Sequence, residues 1–491
     1  MRIIPFLILF ILVGFLYYPI LSVYFSHDDF FHFKISQTNG SISDFINLFG
    51  FHSLEERGIA FYRPIFREVL FNVLYLLFGL NHLPFRILSL VIHFVNITLV
   101  YILMEKLFQR RELSFFTAFF FGITAANVGS LYYLAGGVQA LGATMFMLAT
   151  VILFWEWLES QNIRFFIYSF FTFLISLGSH ELAVVTPLLL FGLSLAKGEL
   201  FWKSVQRIVL FFMVVAVFLY FDFTRIGFST GEQQYQLTFS PKAIFNSLAW
   251  YTAWALGIPE MFIDFVGPKL TLNPNLMKFW GDYTAGIFFF GGIAVTLFAA
   301  CLIYALRGRV LGGRRFLFLL FWFPIALSPV ILLPLHKSTY YLTPVLPAFW
   351  GLVGIVVFSA YEWLKKENMG VANSLFGVFL ASAFLLSALS VTLADQTYPA
   401  ANRGRIAQKL INDVREKYPQ LPKGATVYFK NDPNYPTISG DWGGSSKQAA
   451  FVLNNQDALQ LLYKDPTLKV LYEDLSNTNG DIVYSLVARL R

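Results

Sequence analysis

The sequence predicts an all-α polytopic membrane protein of about eleven transmembrane helices, followed by a small C-terminal α/β soluble domain. Three observations predict it. First, of 491 residues 57% are hydrophobic and 13% charged, with a mean hydropathy of +0.61, whereas soluble domains carry about 45–50% apolar and about 25% charged residues. So little charge cannot solvate a globular surface of this length, which excludes a cytosolic enzyme, a disordered chain, a coiled coil and a collagen-like fibre. Second, eleven stretches come near the roughly 20 apolar residues that a membrane crossing needs. Third, residues 394–491 carry 12 Lys and Arg with 10 Asp and Glu, about twice the charge density of residues 1–393.

The eleven stretches are 3–25, 83–104, 113–134, 138–156, 164–179, 181–197, 207–222, 283–306, 316–334, 338–361 and 371–393. The first has a basic start, but no small-x-small cleavage site follows before Ser26, so it reads as a retained helix. With the N-terminus in the cytoplasm, the pieces on that side hold 14 basic residues, Arg2 and Arg309 among them, in about 50 positions. The opposite side of 1–393 holds the other 10, spread over about 130 positions. This satisfies the positive-inside rule. An odd count puts the C-terminus outside, in a bacterium on the periplasmic side of the inner membrane. Loops 26–82 and 223–282 are then extracytoplasmic.

Two apolar segments in those loops, 65–80 and 241–258, read as interfacial or re-entrant. The second opens on Ser240-Pro241 and carries Trp250, Tyr251 and Trp254, rings that settle at headgroup level. The net charge of +7 falls between apolar runs rather than on one face, which fits membrane orientation and no nucleic-acid partner. The single cysteine, Cys301, excludes an intrachain disulfide. In the tail a helix fits 402–418, a strand 425–429, a helix 447–463, and strands 468–472 and 481–487.

The polar chemistry gathers on the outer side. All seven histidines, including His27, His93, His180 and His336, fall on or near that face. Ionisable residues such as Glu156, Arg164 and Asp222 stand at span ends, which argues against an ion-coupled transporter. Ser26-His27-Asp28-Asp29 follows the first span directly. Two adjacent carboxylates in a region of reduced dielectric raise one pKa, which suits a general base; the pair could instead hold a divalent cation, or only stop the span sliding into lipid. Tyr62-Arg63-Pro64, with Arg67 and Glu68, offers guanidinium forks suited to phosphate oxygens, or an ordinary headgroup contact. Ser179-His180-Glu181 forms a tight outer turn. His336-Lys337, with Tyr340 and Tyr341, can bind a phosphate or sugar, or form an aromatic belt with a snorkelling lysine. Together these fit transfer of a group from a phospholipid-like carrier to an outer acceptor.

The same residues resemble a family. Asp28 and Asp29 in the first outer loop, many spans and a soluble C-terminal domain resemble the C-type membrane glycosyltransferases (GT-C). Within that group, Tyr62-Arg63-Pro64, Gly79-Leu80-Asn81-His82 and Ile92-His93-Phe94-Val95-Asn96 are similar to a stretch of the tetratricopeptide-containing O-mannosyltransferase branch and its bacterial relatives. Ser179-His180-Glu181 with Pro187 resembles that branch's Ser-Lys-Glu turn, with His in place of Lys. Tyr340-Tyr341-Leu342-Thr343-Pro344 resembles its Arg-Tyr-x-Tyr-x-Pro element without the Arg, for which Lys337 can compensate. No repeat array follows.

The resemblance implies inverting transfer of a hexosyl or pentosyl unit from a polyprenyl-phosphate sugar to a lipid, glycan or protein acceptor. Asp28 or Asp29 would be the base. Arg63, Arg67 and Lys337 would bind the donor phosphate. His27, Tyr62, His93, His180, Glu181, His336, Tyr340 and Tyr341 would line the substrate cavity. Some relatives use a divalent cation (Mg or Mn), which Asp28 and Asp29 would hold, and others use none. The rival readings are a flippase or transporter for lipid-linked glycans, which would line a path through the bilayer, and a polymerase or ligase, which would lean on outer-loop Arg and His.

Overall fold

A computed structural model describes residues 3–227, 232–307, 311–436, 443–476 and 484–490. Arg2, Arg309 and residues 481–483 of the expected last strand lie outside the described residues.

The chain is mostly helical. We label α1 Ile3–Tyr17, α2 Asp28–Ile35, α3 Leu70–Phe78, α4 Leu83–Phe108, α5 Arg111–Ile123, α6 Val128–Tyr132 and α7 Leu134–Ser160. There follow α8 Ile163–Leu177, α9 Thr186–Lys197, α10 Phe201–Phe221, α11 Pro241–Ala255, α12 Pro274–Arg307, α13 Arg314–Leu327, α14 Leu346–Glu367 and α15 Met369–Thr397. The C-terminal part adds α16 Pro399–Lys417, β1 Thr426–Lys430, α17 Ser445–Val452, α18 Asp457–Tyr463, β2 Lys469–Tyr472 and β3 Tyr484–Val487.

Among the described residues, seven helices are long and apolar enough to cross a membrane: α1 with its 3-10 extension, α4, α7, α10, α12, α14 and α15. The chain is an integral membrane protein. An eighth span is the pair α5 and α6, bent by 49°. Its break has a local cause. Thr124 adopts an extended ψ of 134° and its side chain accepts from Ala126 N–H. The carbonyl freed there takes the Tyr17 hydroxyl at 2.6 Å, and Asn127 Nδ2 donates to Phe121 O at 2.7 Å. Broken helices survive in lipid only when neighbours satisfy the backbone in this way.

Seven or eight of the eleven expected spans are thus long, apolar helices among the described residues. Each of the eleven stretches holds a helix, but α8, α9 and α13 have 15, 12 and 14 residues, and 15 residues reach only ~22 Å against a hydrocarbon core of ~30 Å. A 3-10 turn at Glu181–Val185 precedes Pro187, at the start of α9, and Pro324 lies within α13. The expected interfacial segments hold α11, of 15 residues, and a π-turn at Pro64–Val69 that runs into the nine-residue α3.

β1 is the middle strand of a three-stranded parallel sheet in the order β2-β1-β3, with Val427 opposite both Val470 and Tyr484. Parallel strands need a crossover; α17 and α18 supply the one between β1 and β2. The expected single helix over 447–463 is these two, separated by Asn454 and Asn455 at positive φ. The C-terminal part packs on the first loop: His27 N–H donates to Val452 O at 2.8 Å, Lys34 pairs with Asp457, and Tyr75 O–H donates to Leu461 O at 3.1 Å. It thus lies at the end of the helix set where α1 finishes and α4 begins. At the opposite ends of the same helices stand the ion pairs Lys106–Glu156, Arg110–Glu362 and Lys197–Glu159.

Candidate active site

Asp28 and Asp29 open α2 but face different partners. Asp29 is 3% exposed, and its Oδ2 accepts from Ser26 N–H at 3.0 Å. Burial pushes its carboxyl up to about 7, helped by Asp28 and opposed by the Arg86 charge and the Ser26 N–H. The Asp28 side chain is 41% exposed. Its Oδ2 accepts from the Tyr133 hydroxyl at 2.5 Å, and His27 Nε2 lies 3.5 Å from Oδ1. Burial holds the Tyr133 phenol well above its ordinary range, so it remains a donor. His27 is at φ +47° and is pinned by the C-terminal part: Nδ1 lies 2.9 Å from Phe451 O, with the two rings 4.0 Å apart.

A second group centres on Arg63. Ile65 N–H donates to Gly178 O at 3.1 Å, which ties the π-turn to the end of α8 and sets Arg63 beside Glu181. Arg63 Nε and Nη2 bond the two Glu181 oxygens at 2.7 and 2.5 Å, and Nη1 bonds Gln139 Oε1 at 2.8 Å. Burial works to raise the Glu181 carboxyl, but the Arg63 charge and hydrogen bonds, with His180, bring it down to about 2. His180 is fully buried, and its Nδ1 accepts from Leu182 N–H at 3.2 Å. Burial and the Arg63 charge push the His180 imidazole down to about 3, so it is neutral.

Aromatic rings join the two groups. Tyr340 and Tyr341 lie 4.2 Å apart in a 3-10 turn. Tyr340 lies 5.9 Å from Tyr133 and 6.4 Å from His180. His336 packs on Tyr341 at 5.8 Å and Tyr235 at 4.7 Å, and Arg63 stands 5.0 Å over Phe61. Glu260 holds the turn, accepting from Thr339 N–H at 2.7 Å and Thr339 Oγ1 at 2.5 Å. Gly129 lets α6 press on the same turn, since a Cβ there would come 2.7 Å from Tyr340 N.

The structure thus brings together Asp28, His27, Arg63, His180, Glu181, His336, Tyr340 and Tyr341. Four expected residues go elsewhere. Arg67 is buried and bonds Glu68 at 2.9 Å and Ala60 O at 3.2 Å. Tyr62 turns away, its hydroxyl on Phe49 O at 2.7 Å and its ring stacked on Phe51. His93 sits inside the helix packing, with Nε2 3.0 Å from Gly122 O and its ring on Phe121. Lys337 donates to Pro334 O at 2.7 Å and Asn246 Oδ1 at 3.4 Å.

Sequence reasoning missed Tyr133, Gln139, Glu260 and Arg86. Gln139 and Arg86 carried a usable signal, as polar groups within apolar helices. The others had none without the fold. One oxygen of each of Asp28 and Asp29 is already taken, by the Tyr133 hydroxyl and by Ser26 N–H. Among the described residues no three His, Cys, Asp or Glu side chains gather as a ligand set.

No protein-family model and no curated protein matches the chain. Among solved structures, the apo form of the oligosaccharyltransferase from Archaeoglobus fulgidus is similar. The TM-score is 0.47 at 12% sequence identity, over 87% of this chain and 62% of that one. The chain therefore spans less than two thirds of that structure's length.

Proposed function

We propose that this chain is an integral membrane glycosyltransferase of the GT-C type. It moves a sugar from a polyprenyl-phosphate donor to a lipid, glycan or protein hydroxyl on the extracytoplasmic face. The observation that carries this reading is Asp28: a partly exposed carboxylate, oriented by Tyr133 and His27, at the head of an aromatic cluster where apolar helices end.

Asp28 takes the proton of the acceptor hydroxyl as its oxygen attacks the anomeric carbon. The bond from that carbon to the phosphate oxygen breaks on the opposite face, with inversion, and its electron pair leaves on the lipid phosphate. Tyr133 holds the carboxylate in position. Tyr340, Tyr341 and His336 offer ring faces and polar edges to a sugar. Asp29 anchors the first turn of α2, and Arg63 with Glu181 forms a neutral, rigid wall.

The test is sugar transfer in membranes supplied with labelled polyprenyl-phosphate sugars. Asp28→Asn should abolish transfer at normal expression, whereas Asp29→Asn should retain a measurable fraction. Full activity of Asp28→Asn would sink the assignment.

A further inference from the structure

Arg403 stands in the first turns of α16, and its neighbour Gly404 fixes where it points. A Cβ on Gly404 would lie 2.6 Å from Tyr24 O and 3.2 Å from Tyr24 N. Only glycine allows α16 to press on the backbone that leads into His27 and Asp28. The Arg403 guanidinium lies 4.7 Å over the Phe451 ring, the ring that packs on His27. It stands within electrostatic reach of Asp28 and Tyr133 and is half-buried. Among the described residues, no carboxylate or carbonyl accepts a hydrogen bond from it.

The neighbouring guanidinium groups are committed. Arg63 bonds Glu181 and Gln139. Arg67 and Arg57 share Glu68. Arg86 bonds the carbonyls of Val23, Tyr24, Leu131 and Tyr132. A half-buried guanidinium within electrostatic reach of a carboxylate, with no hydrogen-bond acceptor of its own, suits an incoming phosphate.

We propose that Arg403 binds the phosphate of a lipid-linked phosphate ligand next to Asp28, so that the C-terminal part supplies the site's anion-binding cation. This rests on the glycosyltransferase reading. When the anomeric carbon–oxygen bond breaks, the phosphodiester becomes a monoester and gains a negative charge. At the same time Asp28 takes the acceptor's proton and loses one. Arg403, bonded to the phosphate and within electrostatic reach of Asp28, meets a growing charge on the one as the charge on the other falls, and so stabilises charge where it develops.

The experiment uses the purified full chain in nanodiscs, titrated by calorimetry with geranyl monophosphate, with inorganic phosphate and with geraniol. Geranyl monophosphate should bind the unmodified protein and not be displaced by geraniol. Arg403→Ala should weaken it about tenfold or more, the loss expected for a charge-assisted hydrogen bond. Arg403→Lys should fall between the two, and Asp28→Asn should bind at least as tightly as the unmodified protein. Matching gel-filtration profiles for the Ala and Lys variants guard against misfolding. Unchanged binding by Arg403→Ala, a loss on Lys337→Ala in its place, or no binding by the unmodified protein would overturn the proposal. Equal affinity for inorganic phosphate would assign the site to free phosphate and overturn its lipid-linked part. Sugar transfer by Asp28→Asn would remove the base while leaving a binding loss at Arg403 standing, so the two failures are distinguishable.

Discussion

Breaking the Arg63–Glu181 pair should cost about 3–5 kcal/mol when one partner is removed and far less when both are. Replacing Arg63 by Met removes bonds of 2.7, 2.5 and 2.8 Å and leaves Glu181, 21% exposed, without a cation. A second route gives a similar size. Glu181 falls from 4.5 to about 2 in the folded protein, and at about 1.36 kcal/mol per unit that is about 3 kcal/mol. The sign follows from a depressed carboxyl: the stabilisation is present above the unfolded value of 4.5 and is lost only as pH falls through about 2. It is therefore constant between pH 5 and 9. The assay is a double-mutant cycle at pH 7, with Arg63→Met, Glu181→Met and the double variant unfolded by denaturant in nanodiscs. A coupling of about 3 kcal/mol is expected. A coupling below about 0.5 kcal/mol would refute the pairing and release Arg63 to bind phosphate.

Gly404→Ala should lower sugar transfer at least as much as it lowers thermal stability, because the new Cβ meets the Tyr24 backbone and lifts Arg403 from Asp28; equal transfer per folded molecule would argue otherwise. Tyr133→Phe removes the 2.5 Å bond to Asp28 and should cut kcat about tenfold or more with little change in KM, as read from initial rates. Asp29 has a raised carboxyl, about 7 against 3.8, so its contribution is greatest below pH 4 and declines by up to about 4 kcal/mol as pH rises to 7. Melting temperatures of the unmodified protein should therefore fall relative to Asp29→Asn between pH 5 and 8; parallel curves would refute the buried titration.

The sequence shows where helices lie better than how long they are. Lipid-facing or buried, an apolar run of twenty residues has one way to satisfy its backbone, and each of the eleven stretches holds a helix. The division of α8 from α9 depends on the 3-10 turn at Glu181–Val185, which composition does not record. The site divides in the same way. Asp28 beside Asp29 is legible as a carboxylate pair at a span end. Which of them turns inward is set by the phase of α2 and by Tyr133, more than 100 residues away. His93 misled because a histidine near an outer span end can equally bond a backbone carbonyl, here Gly122 O. Tyr62 adjoins Arg63 in sequence, yet the irregular backbone at Arg63 (φ −136°, ψ 55°) and the π-turn after it send the two side chains to different partners.

Arg86 joins the fold to the chemistry. It is fully buried, and burying an unpaired cation is costly. Here the compensation comes from helix ends. Val23 and Tyr24 follow the 3-10 end of α1, and Leu131 and Tyr132 close α6; their carbonyls have no acceptance left to make within those helices and carry the negative end of the helix dipole. One guanidinium at the head of α4 therefore gathers two helix termini at the point where α2 begins. Its charge also acts on Asp29, whose carboxylate caps Ser26 and so fixes the start of α2. The position of Asp28 is thus set by satisfying the backbone of a broken and a finished helix, a requirement the bilayer itself imposes. Asp28 stands at the helix ends because that is where a membrane fold has polar backbone to offer.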